Sequence, residues 1–148
     1  MQAAVLRAKL PYLDTWNATR RQLAALYSDC LAEAGDLVRL PVEPTSTQHP
    51  EISTHVYHLY VLQVTERDSL RAHLAERGVG TDVHYPVPSH LQAPYAPYGH
   101  GPGSLPHTEQ LAREVLSLPI YPELSPRDVR YVAEQICDWT KARSIGNR

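Results

Sequence analysis

The chain has 148 residues, 43% of them apolar and 20% charged, with a formal net charge of −2; this fits one domain with a sizeable core. The charge excludes a basic field for non-specific nucleic-acid binding. No apolar run approaches the ~20 residues of a membrane helix and Met1 does not open a signal peptide, so a cytoplasmic location and no membrane partner are expected.

From Gln2 to Ala34 the apolar residues Val5, Leu6, Leu10, Leu13, Trp16, Leu23, Leu26, Tyr27 and Leu31 recur at spacings of about three and four, the helical period. Gly35 is placed to end this run in the left-handed conformation, and Pro11 to kink or split it. LVRLPVEP, residues 37–44, reads as extended, and TSTQHPEIST, residues 45–54, as a polar loop. HVYHLYVLQV, residues 55–64, is β-branched and aromatic and predicts a strand, with Val56, His58, Tyr60 and Leu62 on one face and Tyr57, Leu59, Val61 and Val64 largely opposed. Arg67 to Arg77 predicts a short helix with Leu70 and Leu74 inward and Gly78 as its stop. VGTDVHY returns as a second strand. The segment from Pro86 to Gly103 holds five prolines and three glycines and predicts a patterned loop. HTEQLAREVLSL reads as a helix entered through Pro106, with SLPIYP an extended exit. Ser125 is placed to cap a last helix reaching about Lys141, with Pro126 at its first position and Val129, Val132, Ile136 and Trp139 inward. The expected fold class is α+β: a sheet of three or four short strands with helices on one face, preceded by a long protruding helix.

Eight histidines raise the question of a metal. In a strand His55 and His58 would point to opposite faces, and His84 and His90 lack nearby cysteines or carboxylates to complete a tetrahedral set, so none is expected. Cys30 and Cys137, far apart in helical segments, give neither a disulfide framework nor a CxxC site. YGHGPG, residues 98–103, lacks the preceding strand and following lysine of a phosphate loop and reads as a turn; without a GxSxG elbow there is no serine-hydrolase signal. HYPVPSH, residues 84–90, has two readings on local physics. Its prolines either fix φ in a structural loop or hold His84, Tyr85 and His90 ready to bond a polar ligand at little ordering cost.

Three strings, HVYHLYVLQV, RDSLRAHLAERGVGTDVHYPVPSHLQAPY and PHTEQLAREVLSLPIYPELSPRDV, closely resemble in order and interval the C-terminal part of the DegT/DnrJ/StrS family of pyridoxal-phosphate-dependent sugar aminotransferases. The opening MQAAVLRAKLPYLDTWNATRR resembles that family's helix joining the large and small domains. The resemblance implies the small C-terminal domain of a type I aminotransferase fold: residues 1–35 as the interdomain linking helix, residues 36–148 as the small domain, and the large cofactor-binding domain absent. It implies transfer of an amino group from glutamate or glutamine to a nucleotide-linked keto sugar, or in some members a ring ketone. A lysine holds the pyridoxal phosphate and shuttles the proton.

Lys9 and Lys141, the chain's two lysines, match neither the position nor the context of that residue. No catalytic, cofactor-binding or metal residue is assigned, and pyridoxal phosphate is expected in the complete enzyme without being held by this chain alone. His84, Tyr85 and His90 are expected to face sugar or nucleotide; Tyr57 and His58 are read as structural. The implied partners are a nucleotide-linked keto sugar, a large domain or second subunit, and a homodimer mate, with Leu6, Leu10, Leu13 and Trp16 left exposed to drive self-association. The competing class is a non-catalytic nucleotide-sugar-binding or dimerisation module built on the same fold.

Overall fold

Pro11 cannot donate to a helical ladder, and the computed structural model, which describes residues 1–43 and 55–146, breaks the first helical run around it. Helix α1 (Gln2–Lys9) passes through a 3₁₀ turn (Leu10–Tyr12) into α2 (Leu13–Leu31). No residue of α1 is buried, whereas α2 turns Leu23, Ala24, Tyr27 and Leu31 into the core. Gly35 follows at φ +78°.

The sheet has three antiparallel strands in the order β1 (Val38–Arg39), β2 (Tyr60–Val64) and β3 (Val115–Leu118). Val38 stands opposite Val64, and Tyr60 opposite Leu118. The remaining helices are α3 (Arg67–Glu76), α4 (Pro106–Glu114) and α5 (Pro126–Gly146). This is an α+β fold with α2 packed along α5.

The expected elements change at several places, among them the end of α5, which runs to Gly146 where the pattern placed it near Lys141. The strand expected from residue 55 begins at Tyr60, because Tyr57 adopts φ +48° and its N–H donates to its neighbour His55 Nδ1 at 2.9 Å. Val64 shares the buried face of Tyr60 and Leu62, as the period of two requires. The second strand in VGTDVHY contracts to one bridge, Asp82 with Ser117; the next N–H, of Val83, is taken by the Asp82 side chain at 2.8 Å. The helix expected over HTEQLAREVLSL stops at Glu114, and VLSL becomes β3. Two effects set that boundary: pairing with β2 satisfies this backbone, and Arg67 Nη1 donates to the carbonyls of Ala112 at 3.4 Å and Val115 at 3.2 Å. The polar segment 45–54 lies outside the described residues.

Aromatic hydroxyls find partners, as buried tyrosines require. Tyr27 stacks on Tyr60 at 5.0 Å and donates to the Pro119 carbonyl at 3.0 Å, while the Tyr60 hydroxyl meets Ser28 Oγ at 2.9 Å. Burial pushes both phenols above their ordinary value. Leu62, Leu70, Leu74, Leu116, Val129 and Ile136 fill the layer between sheet and helices. Cys30 and Cys137 are free thiols on the facing helices. The α5 cap forms as expected, with Asp128 N–H donating to Ser125 Oγ at 3.1 Å. Gly78 sits at φ +74° with nothing within 4 Å of an added Cβ. Gly78→Ala is therefore a test of backbone strain alone, expected to cost about 1–2 kcal/mol in urea unfolding.

Candidate functional site

The bridge between Asp82 and Ser117 seats the chain on the outer edge of β3, and HYPVPSH begins two residues later. His84 is held from both sides: its Nδ1 lies 3.0 Å from Ser117 Oγ and its Nε2 3.6 Å from Asp82 Oδ2. Serine, histidine and aspartate thus stand in a row. Ser117 is buried in β3, however, where its hydroxyl is closed to a substrate it could attack, so the row is a brace. Tyr85 projects outward at 75% exposure. Proline then fixes the path through Pro86 and Pro88 into two 3₁₀ turns, Ser89–Leu91 and Ala93–Tyr98.

His90 points inward. Its side chain is buried, and Nε2 meets Glu109 Oε1 at 3.1 Å. The same carboxylate accepts the N–H of Gly103 at 2.8 and 3.0 Å and that of Leu105 at 3.4 Å. One residue of α4 therefore fastens both ends of the segment 91–102, closing it as a compact loop. The Gly103 N–H, followed by the His90 bond, holds the Glu109 carboxyl below the usual carboxylate range. A carboxyl lowered in the fold contributes stability that is complete above its unfolded value and is lost as pH falls through the folded one. Hydrogen exchange is expected to show residues 91–105 losing protection below about pH 4 while α5 keeps its own.

His90 also lines a groove of about 440 Å³ together with Ser89, Tyr95, Tyr98, His100, Leu105 and Thr108. A second, smaller groove of about 270 Å³ runs past His84, Tyr85 and Pro88 to Leu111 on α4. Tyr85 and His84 thus share one groove and His90 lines the other, all within the loop the sequence singled out. Sequence reasoning missed Glu109, Tyr95 and Tyr98. The available signal was a carboxylate in the first turn of a helix entered by proline, a position that reaches back to free N–H groups. His55 and His58 lie outside the loop, and among the described residues no three metal-ligating side chains converge.

The match to the DegT/DnrJ/EryC1/StrS aminotransferase family model runs over residues 1–137. The chain belongs to this family. It is 43% identical over 141 residues to the dTDP-3-amino-3,4,6-trideoxy-alpha-D-glucose transaminase of Streptomyces venezuelae, covering 95% of this chain and 35% of that protein. It is 44% identical over 140 residues to a pleiotropic regulatory protein of Geobacillus stearothermophilus, covering 94% of this chain and 36% of that one. The crystal structure of S. venezuelae DesV in complex with a ketimine intermediate superposes with a TM-score of 0.86 at 43% identity, over 95% of this chain and 36% of that chain. An aminotransferase of this family from Brucella abortus superposes at 0.80 with 32% identity, over 94% of this chain and 35% of that chain. The chain thus spans about a third of the length of the relatives it matches.

Pyridoxal phosphate would need a lysine amine beside a pocket with a phosphate cradle. Lys9 closes α1, which buries nothing, and Lys141 stands 73% exposed beside Asp138 at 4.0 Å. Neither lines the loop grooves. The described residues do not fit the cofactor.

Proposed function

We propose that this chain is the C-terminal, substrate-facing portion of a pyridoxal-phosphate-dependent aminotransferase that moves an amino group from glutamate or glutamine to a nucleotide-linked keto sugar in the cytoplasm. Residues 1–35 act as the linking helix and residues 36–148 as the small domain, with the cofactor and its lysine supplied by a large domain outside this sequence. The carrying observation is the braced loop: His84 fixed by Ser117, His90 fixed by Glu109, and Tyr85 held outward between them beside the edge strand β3. Loops positioned by a rigid scaffold are where ligands commonly bind. The sugar transaminases among the relatives support this substrate class. In this reading Tyr85 contacts the ligand directly, while His84 and His90 hold the surface it meets.

The test is a titration of the chain with a dTDP-linked sugar followed by amide shifts, beside an absorbance scan with pyridoxal phosphate and borohydride. Shifts within residues 84–105 and no reducible adduct are expected. An adduct on Lys9 or Lys141 would overturn the placement of the cofactor, and shifts confined to other surfaces would overturn the substrate-facing role.

The second reading, a dimerisation module, is favoured by the N-terminal helical run, where Leu6 of α1, Leu10 of the 3₁₀ turn and Leu13 at the start of α2 are 68%, 65% and 42% exposed; Trp16, expected exposed with them, is half-buried and stacks on Tyr12. Apolar faces of this kind are covered in working assemblies. In the aminotransferase reading the cover is the large domain and a second subunit.

A further inference from the structure

The proposed substrate has three chemically different parts, a sugar ring, a pyrophosphate and a base, and the lining of the groove at Tyr95 and Tyr98 discriminates among them. We infer that the Tyr95–Tyr98 groove takes the uncharged heteroaromatic base of the nucleotide, stacked on Tyr98, with the pyrophosphate lying outside it. This rests on the nucleotide-sugar reading above and specifies which end of the ligand the loop receives.

Charge disfavours the pyrophosphate in the groove. Phosphate recognition calls on Arg, Lys, protonated His or a row of free N–H groups; no Arg or Lys lines this groove, and of its two histidines His90 is bonded to Glu109, which leaves His100 alone to meet an anion. The N–H groups of Gly103 and Leu105, the nearby backbone donors, are already spent on Glu109. Hydroxyl chemistry disfavours the sugar. A hydroxyl-rich ring is held by carboxylates and amides that accept and donate in pairs; this groove is lined by no carboxylate or side-chain amide, and Glu109 behind His90 is committed to that ring and the loop backbone.

What the walls do offer is aromatic surface. Tyr98 is 74% and Tyr95 46% exposed, and their rings lie 6.2 Å apart at 39°. That separation and tilt leave no slot between them for a flat ring, so the more exposed Tyr98 is the stacking surface, and Ser89, Thr108 and His100 of the same lining carry the groups that could hydrogen-bond a base edge. A groove of about 440 Å³ is of the size that small ligands occupy. The clasp at Glu109 presets the loop, which lowers the ordering cost of binding.

The experiment titrates the 148-residue chain with thymidine, with dTDP, with dTDP-glucose and with inorganic pyrophosphate, reading amide and tyrosine ring shifts. Thymidine and dTDP should move the same signals at Tyr95, Tyr98 and His100, with dissociation constants within about threefold of each other, and pyrophosphate should move none of them. Tyr98→Ala should weaken thymidine about tenfold or more, as loss of a stacking ring does, with the thermal midpoint unchanged because the ring is exposed; Tyr98→Phe should keep the affinity. Pyrophosphate shifts in this groove, or thymidine binding unaffected by Tyr98→Ala, overturns the inference. Binding of dTDP-glucose through residues 84–88 without thymidine binding overturns the inference and leaves the nucleotide-sugar reading standing. No binding by any probe overturns both. Self-association that Tyr98→Ala abolishes, with no thymidine binding, assigns the groove to a second copy of the chain and also overturns the inference.

Discussion

Trp139→Ala is expected to lower unfolding stability by about 3–5 kcal/mol, the range for deleting a large aromatic from a well-packed core. Trp139 is 2% exposed on α5, facing the core with Val132 and Ile136. Its loss also releases Arg143, whose guanidinium lies 4.1 Å over the indole. Arg143 bonds Glu66 at 3.1 Å and also Ser69, at the start of α3. The indole therefore supports the joint between α3 and α5 as well as filling volume. Urea denaturation should show a lower midpoint at unchanged slope, and Arg143→Ala alone should cost about 1 kcal/mol or less, as half-exposed ion pairs do. A loss under 1 kcal/mol for Trp139→Ala would show that α5 packs otherwise.

The helices were the legible part of the sequence because their signals are local. Leu70 and Leu74 are one turn apart on the buried face of α3, and Val129, Val132, Ile136 and Trp139 are all buried on α5, as the period demands. Ser125 and Gly78 punctuate the chain where cap chemistry places them. The strands were legible in type and poorly bounded, since their limits depend on partners distant in sequence. VLSL continues the helical pattern of the preceding residues, and only pairing with Tyr60–Gln63 makes it β3. In the other direction, VGTDVHY has a strand composition but the Asp82 side chain takes the N–H that would extend its pairing. Within the loop, composition singled out His84, Tyr85 and His90 but could not separate their orientations. Whether a histidine faces a ligand or a carboxylate 19 residues away is decided by how α4 folds back, which no local pattern carries.

That fold-back makes His90 the most consequential single position in the loop. His90→Ala is expected to cost about 1–3 kcal/mol, by deleting a buried ring and a hydrogen bond to a charged group. The larger consequence is positional. With the ring gone Glu109 keeps the N–H groups of Gly103 and Leu105 but no longer holds the Ser89–Leu91 turn, so one end of the closed segment comes free. Amide exchange in residues 89–98 should rise at least tenfold while residues 103–114 stay protected. Glu109→Gln gives the complementary pattern. The amide keeps one acceptor oxygen and replaces the other by a donor facing N–H groups, so protection should fall at both ends of the loop together. His90→Gln can still donate toward Glu109 and should recover part of the protection lost in His90→Ala. If His90→Ala left exchange in the 89–98 segment unchanged, the loop would owe its order to its prolines, and the Glu109 clasp would have no part in presetting the groove.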